Sequence, residues 1–325
     1  MDKIPDSILL DIFSRLDYSE LCMCSRVCQR WRILSDDFTL KRIIVVKKPL
    51  QERFFLSLIN NHFTNNLQEF HLLKPKYNSP MNPFSLVIVK KSCFWQISNK
   101  SPNLKKLILV SCSLPNVSIS DLPPNIFHLS IRESELSPST FFGSQPHLSL
   151  PNLTCLDLGG CNNFLTSQDL HILTTFKCLK ALYFEGCFRI NNGGIESLIE
   201  ILPQLETLDV EGTDISNEGV HIILDNCAKI KELFIGHTLI NDRALFKCQK
   251  DAVPKLSYIC VRDTNISSIG LHAFLMPPYN PSITVKADFR CSSNCFKDPN
   301  CSHIDEVNNP SMRSCFHYMS HECSR

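Results

Sequence analysis

The feature that most constrains this chain is a short apolar run, L-x-x-L-x-L or a close variant, which recurs seven times. The first residues of successive runs are separated by 22, 27, 26, 26, 25 and 26 residues. Repetition at this interval predicts a solenoid, because one such unit cannot bury its apolar face alone and must stack on its neighbours. The runs are Leu104, Leu107, Leu109; Ile126, Leu129, Ile131; Leu153, Leu156, Leu158; Leu179, Leu182, Phe184; Leu205, Leu208, Val210; Ile230, Leu233, Ile235; and Leu256, Ile259, Val261.

Each run is followed by a small side chain able to bond to the backbone where the chain leaves its strand. Residues 213–220 and 264–271 then combine a capping residue with a short apolar period typical of a helix. Each unit therefore predicts a strand, a turn and a helix in an α/β fold, with parallel strands on the concave face. The pattern resembles cysteine-containing leucine-rich repeats over about residues 104–275. The small residues are Cys112, Ser134, Cys161, Cys187, Thr213, Thr238 and Thr264.

The repeated leucines are expected to form the core, so binding chemistry must lie on the strand residues between them. In the middle units these residues are acidic and surround two aromatic side chains, with basic residues toward the ends. Acidic groups steer cations and aromatic rings supply contact area, so the face suits a protein substrate with a basic segment. A solvated charged surface is the alternative. The predicted substrate-binding residues are Asp157, Tyr183, Glu185, Asp209, Glu211, Glu232, Phe234 and Arg262.

Charge and composition exclude several classes of partner. Residues 1–110 contain 17 Lys and Arg against 9 Asp and Glu, and residues 111–325 contain 16 against 23, so the larger segment is acidic and disfavours nucleic-acid binding. No apolar stretch is long enough to span a membrane, and Asp2, Asp6 and Asp11 interrupt the start where a signal peptide would be apolar. We therefore expect a cytoplasmic or nuclear protein. The 17 cysteines are an odd number and lie largely in apolar runs, which favours reduced, buried thiols.

The N-terminal segment has a different pattern. Pro5 and a cap at Asp6 precede one helical apolar stripe, and Ser19 precedes a second. So short a pair of helices buries too little surface to be stable alone. The stripes are Ile8, Leu9, Ile12, Phe13, Leu16 and then Leu21, Cys24, Val27, Cys28, Trp31, Leu34. Residues 4–16, Leu21 and residues 25–31 together resemble an F-box, although residues 36–41 lack the second Trp usual in that family.

This resemblance implies that the segment docks on a Skp-family adaptor and, through it, on the cullin and RING subunits of an SCF-type ubiquitin ligase. The chain would be the non-catalytic substrate-recognition subunit, promoting ubiquitination and proteasomal degradation without a cofactor. Consistently, the sequence contains neither G-x-S-x-G nor a phosphate-binding G-x-x-x-x-G-K. The implied adaptor-binding residues are Ile4, Pro5, Ile8, Leu9, Ile12, Phe13, Leu16, Leu21, Val27, Cys28 and Trp31.

Two other readings remain open. The N-terminal helices could only cap the first repeat, which would make the chain a leucine-rich-repeat interaction scaffold with no ligase role. An enzyme with a zinc-dependent tail is the third reading, because residues 291–325 are rich in Cys and His. The same tail lacks a C-x-x-C pair and is rich in Ser, Asn and Pro, which favours a flexible end without metal.

The predicted boundaries are an F-box at 1–45, a linker or degenerate first repeat at 46–103, the repeat domain at 104–290 and the tail at 291–325. Leu67, Phe70 and Leu72 indicate an earlier, degenerate repeat. Residues 73–100 are either an insertion loop or a worn repeat, and residues 141–151 are expected to form a loop. The Gly pairs 159–160 and 193–194 are assigned to repeat turns. A last edge strand is expected at Ile283 to Val285.

Overall fold

The computed structural model describes residues 4–16, 18–47, 52–73, 86–162, 164–246, 254–275 and 283–287. Short strands recur through these ranges at the positions of the apolar runs. The strands are β1 Ile43–Val46, β2 Glu69–Leu72, β3 Val87–Ile88, β4 Lys106–Val110, β5 Cys112–Ser113, β6 His128–Arg132, β7 Cys155–Asp157, β8 Ala181–Tyr183, β9 Thr207–Asp209, β10 Glu232–Phe234, β11 Tyr258–Cys260 and β12 Thr284–Lys286.

In the described part of the chain, ten of these strands form one parallel sheet in the order β1-β2-β4-β6-β7-β8-β9-β10-β11-β12. β3 and β5 pair separately beside it. The sheet confirms the seven predicted repeat strands, the degenerate unit at β2 and the late strand at β12, which is shifted by one residue. It also contains β1, which the apolar repeat did not reveal.

Helices and helical turns return the chain from one strand to the next, as parallel pairing requires. The helices are α1 Asp6–Phe13, α2 Tyr18–Cys24, α3 Gln29–Ser35, α4 Glu52–His62, α5 Lys91–Lys100, α6 Pro138–Phe142, α7 Pro146–Ser149, α8 Asn192–Glu196, α9 Asn217–Asn226, α10 Arg243–Phe246 and α11 Ser268–Leu275. Tight 3-10 turns cover Ile119–Asp121, Ser167–Thr175 and Leu202–Gln204. α9 and α11 confirm the helices predicted from residues 213–220 and 264–271, and Ser216 caps α9.

The core follows the alternation of the strands. In β4 the apolar Leu107 and Leu109 are buried, whereas Lys106, Ile108 and Val110 are partly exposed on the concave face. Six of the seven small residues after the strands are buried and Thr264 is partly buried, and all seven bond to backbone carbonyls, as predicted. The Thr213 hydroxyl donates to the Val210 carbonyl at 2.6 Å, and the Cys161 thiol donates to the Ile131 carbonyl at 3.0 Å.

Several local predictions were wrong. The expected cap Asp6 is the first residue of α1, with Pro5 in the cap position, and Ser19 lies inside α2. The second predicted helix is two helices, because the chain turns after Cys24 and Cys28 caps α3. Residues 141–151 are not a loop but contain the end of α6 and all of α7.

The assignment of the two glycine pairs to turns was correct for one pair and wrong for the other. Gly160 occupies a turn with φ +72°, but Gly193 and Gly194 lie in α8. A Cβ on Gly194 would meet the Ser167 hydroxyl oxygen at 2.7 Å, so this glycine serves close packing between repeats. Within residues 73–100, α5 buries three apolar side chains as a repeat helix does, while residues 74–85 lie outside the described ranges.

Candidate functional site

The N-terminal helical domain, residues 4–42, has a core of its own. Leu9, Phe13, Leu21 and Leu34 are buried together, and partly buried Leu16 and Trp31 pack against them. The ring centroids of Phe13 and Trp31 lie 5.2 Å apart in an edge-to-face arrangement. Leu9, Phe13 and Leu21 were predicted as adaptor contacts, but they hold the three helices together and offer no free surface. Sequence periodicity could not separate these two roles, because both require apolar residues at helical spacing.

A second apolar face of α1 points to solvent. Ile8 and Ile12 are one helical turn apart and 51% and 44% exposed, while their neighbours Leu9 and Phe13 are 2% and 1% exposed. The predicted contacts Ile4, Pro5, Val27 and Cys28 are also exposed. Met23, Ile33 and Phe38 are exposed too, at 60% or more, and were not predicted as contacts. Two exposed isoleucines one turn apart on so small a domain make this face a candidate contact surface.

An ion pair fixes the two parts of the chain that carry this surface. Arg30, near the start of α3, donates to the Asp6 carboxylate at 2.8 Å through Nε and to the Ile4 carbonyl at 2.5 Å. These bonds join Ile4 and the first residue of α1 to the start of α3. Asp6 therefore positions the apolar surface rather than capping the helix.

The helical domain packs on the first strand of the sheet. Tyr18 on α2 packs against the repeat core, and its ring meets that of His62 edge-on at 5.5 Å. Burial raises the pKa of Tyr18. Burial also lowers the pKa of His62, so the His62 ring is neutral at pH 7. This contact covers part of the open end of the sheet and leaves the surface of Ile8 and Ile12 uncovered.

The concave face is ordered by strand register. One row runs across five strands through Asp157, Tyr183, Asp209, Phe234 and Cys260, which pair as direct neighbours. The residues two places further along the chain form a parallel row. That second row contains Arg132, Gly159, Glu185, Glu211, Gly236 and Arg262. The register thus brings seven of the eight predicted substrate-binding residues into two adjacent rows, with Glu232 in the row on the other side.

Arg132 neutralises two of the predicted acidic residues. Its guanidinium donates to Asp157 at 3.1 Å and to Glu185, which lies on the second strand beyond Arg132. Ser130 donates to the same Asp157 carboxylate at 2.9 Å. A Cβ on Gly159 would lie 2.8 Å from the guanidinium carbon, so only glycine lets Arg132 cross this strand. Burial alone would lower the pKa of Arg132, but the two carboxylates raise it overall. The middle of the face is therefore less acidic than the sequence suggested.

In the second acidic pair, Asp209 and Glu211, one carboxyl oxygen of each residue lacks a hydrogen-bond donor among the described residues. Asp209 is 0% exposed, and its Oδ1 accepts a hydrogen bond from the Glu211 backbone N–H at 3.0 Å. Asp209 Oδ2 and Glu211 Oε1 are buried without a hydrogen-bond partner among the described residues. Burial raises the pKa of both carboxyls, and the Glu211 charge raises that of Asp209 further. Asp209, predicted as an exposed contact, is instead the innermost group of the face.

The remaining predicted residues surround this pair. Phe234 is 7% exposed, and its ring centroid lies 5.1 Å from that of Tyr258. Glu232 accepts a hydrogen bond from the Thr207 hydroxyl at 3.2 Å, while Tyr183, Glu185 and Arg262 are partly exposed. Gly236 was not predicted as a site residue, yet a Cβ there would meet Glu211 Oε1 at 2.7 Å. Its lack of a side chain makes room for the Glu211 carboxyl.

Metal-binding and membrane-spanning features were searched over the described ranges. There, no group of three or more His, Cys, Asp or Glu side chains could hold a metal ion. The zinc alternative concerned residues 291–325, which lie outside those ranges, so it stays a prediction. The helices described here are all too short or too polar to cross a bilayer.

Comparison with known proteins finds a family model that matches the N-terminal segment and relatives that are similar over about two thirds of the chain. An F-box-like family model matches residues 1–46. F-box/LRR-repeat protein 12 of Homo sapiens is 28% identical over 218 residues, which is 67% of this chain and 65% of that protein. The Bos taurus protein of the same name is 28% identical over 217 residues, covering 66% of this chain and 65% of the relative. The chain therefore spans just under two thirds of the length of these curated relatives.

One solved structure shows the same kind of fold at a TM-score of 0.50. A chain in the crystal structure of a yeast Rad7 and Elc1 complex superposes with a TM-score of 0.50 at 14% identity, covering 79% of this chain and 64% of that one. An internalin from Listeria monocytogenes superposes with a TM-score of 0.43 at 16% identity, covering 78% and 74%. The family match and the sheet confirm the prediction of a helical F-box followed by a leucine-rich-repeat sheet.

Proposed function

We propose that this F-box/leucine-rich-repeat protein is the substrate-recognition subunit of an SCF-type cullin-RING ubiquitin ligase. The F-box would bind a Skp-family adaptor and the concave face would bind a client protein. Catalysis would be supplied by the other subunits, and this chain would contribute by holding client lysines near them. Ubiquitination would then lead to proteasomal degradation in the cytoplasm or nucleus.

The observation that carries the proposal is the second apolar face of α1. A small domain that is complete by itself places its apolar side chains in its core and its polar ones outside. Here α1 buries Leu9 and Phe13, yet Ile8 and Ile12 on the adjoining face are about half exposed. Burying an aliphatic side chain of this size contributes about 1.5 to 3 kcal/mol, so covering both would drive association with a partner.

The alternative role, a cap for the repeat sheet, is also supported by an observation. Tyr18 packs on the repeat core, and its ring contacts that of His62 at the end of α4. The cap role accounts for α2 but not for the exposed face of α1. The two roles are compatible, because they use different sides of the same helices.

Co-purification with a Skp-family adaptor tests the proposal. The double variant Ile8→Asp, Ile12→Asp should reduce adaptor recovery about tenfold or more, because it charges the centre of the proposed contact. Leu239→Asp is the matched control, since Leu239 is 72% exposed but lies on the repeat domain, and it should leave recovery unchanged. Far-ultraviolet circular dichroism should match wild type for both. Equal recovery of the double variant and wild type would remove the adaptor role.

A further inference from the structure

Two aspartates on the concave face accept the same kind of hydrogen bond from the backbone two residues later. They differ in the hydrogen bonds made by their second carboxyl oxygen. Asp157 Oδ1 accepts from the Gly159 backbone N–H at 3.0 Å, and Asp209 Oδ1 accepts from the Glu211 backbone N–H at 3.0 Å. Asp157 Oδ2 then receives hydrogen bonds from Ser130 and Arg132. Asp209 Oδ2 receives none from the described residues, although it is fully buried.

The surroundings of Asp209 are suited to a cation. Glu211, two residues further along the chain, is partly exposed and shares a side-chain hydrogen bond with Cys260. Its Oε1 is a second buried oxygen without a hydrogen-bond partner among the described residues, and it lies over Gly236. In the register of the sheet, Tyr183 and Phe234 stand on either side of Asp209. A carboxyl pair of which one member, Asp209, lies between two aromatic residues favours a planar cation, which can donate to both carboxylates along its edge and stack on a ring.

We infer that Asp209 and Glu211 form a receptor for one arginine side chain of the client protein. Arg132 shows the chemistry within the same molecule, where a single guanidinium joins the carboxylates of Asp157 and Glu185. At the second carboxyl pair the guanidinium comes from the client. Because both unpartnered oxygens are buried in the free protein, the partly exposed Glu211 side chain must turn aside for the guanidinium to pair with it and with Asp209 beneath. Binding supplies the hydrogen bonds that Asp209 Oδ2 and Glu211 Oε1 lack in the free protein.

This receptor deepens the proposed function and rests on its statement that clients bind the concave face. A buried carboxyl oxygen without a hydrogen-bond partner costs stability. Such groups are expected where function requires them. The receptor narrows the client class to proteins that present an accessible arginine in an extended segment.

Fluorescence anisotropy with a defined peptide tests the receptor. The probe is a labelled nine-residue peptide of alternating serine and arginine, and its matched control replaces each arginine by citrulline, which has the same shape but no charge. The protein is the full chain bound to its adaptor, at physiological salt. We expect the arginine peptide to bind at least tenfold more tightly than the citrulline peptide.

Three variants separate a built site from a diffuse acidic field. Glu211→Gln and Asp209→Asn should each weaken binding of the arginine peptide about tenfold. Glu196→Gln removes the same charge from the exposed end of α8, outside the concave face, and should change affinity less than twofold. Equal losses in all three variants, or no loss in Glu211→Gln, would overturn the inference.

The adaptor serves as an independent readout. All three variants should recover the adaptor as wild type does, because the F-box is unchanged. If wild type fails to recover the adaptor, the proposed function fails, whatever the peptide result. If the adaptor is recovered but arginine and citrulline peptides bind equally, only the arginine receptor is wrong.

Discussion

The F-box closes its core with four buried side chains and exposes seven large apolar residues among residues 4–42. The repeat region, although several times longer, exposes few more, buries most of its apolar residues in long rows and places polar residues on its concave face. The difference follows from size. A domain of about 40 residues buries too little surface to stand alone, so further apolar contact must come from neighbouring chains. A stack of repeats buries enough apolar surface to be stable without such contacts, so it can place charged groups at positions that binding requires. We therefore expect the two regions to respond differently to substitution.

The largest effect is expected inside the F-box. Phe13→Ala removes a fully buried ring and should destabilise this domain by about 3 to 5 kcal/mol, which is enough to unfold it and abolish adaptor binding. Hydrogen exchange should show lost protection in α1 and α3 while β8 to β10 stay protected. Ile12→Ala, at the adjacent exposed position, should alter stability by less than about 0.5 kcal/mol. Similar exchange in the two variants would mean that the division between core and surface is wrong.

An intermediate loss is expected at the internal ion pairs of the concave face. Arg132→Met leaves Asp157 and Glu185 partly buried without their cation and should lower the free energy of unfolding by about 1 to 3 kcal/mol. Urea titration measures this free energy of unfolding. Lys177→Met is the control, because its pair with Glu200 is about two-thirds exposed on both sides and should contribute about 0 to 1 kcal/mol. Matching losses would contradict the structural role assigned to Arg132.

The smallest expected change has the opposite sign. Burial raises the pKa of Asp209 above its ordinary value of 3.8, so the folded protein binds a proton that the unfolded chain releases as pH rises. Stability of the wild type therefore falls as pH rises from about 3.8 through the raised pKa, and Asp209→Asn should escape this loss.

Asp209→Asn should thus be more stable than wild type at pH 7, by about 1 kcal/mol or more, and the advantage should vanish below pH 3.8. Urea titrations at pH 7 and pH 3.5 measure both values. A destabilised variant at pH 7 would show that the carboxylate is satisfied in the folded protein. A stable variant that no longer binds the arginine peptide would instead separate binding from folding.

The fold was largely predictable because the same apolar pattern recurs in every repeat. The apolar periods located β4, β6 to β11 and the turns at Thr213 and Cys161, since burial of one face dictates alternation in any strand. The strand β1 was missed because it follows the F-box without a repeat of its own. The helix boundaries at Asp6 and Ser19 were misplaced, because a capping residue and a first-turn residue have similar composition.

The sites were predicted by region but not by role. The sequence placed apolar residues on the F-box and acidic residues on the concave face, and both are found there. It did not separate Ile12 from Phe13, because either could face the core. It did not show that Gly159 and Gly236 shape the acidic rows, because a glycine after a strand is typical of a turn.

The sequence by itself determined the order of the two domains, the parallel sheet and the direction of its side chains, because these depend on local periods of apolar residues. Only the tertiary structure decided which face of α1 remains open and which carboxylates are neutralised. Arg132 and Glu185 are 53 residues apart in the chain and meet because strand register brings them together. Charge pairing depends on distance in space, and a linear pattern does not contain that distance.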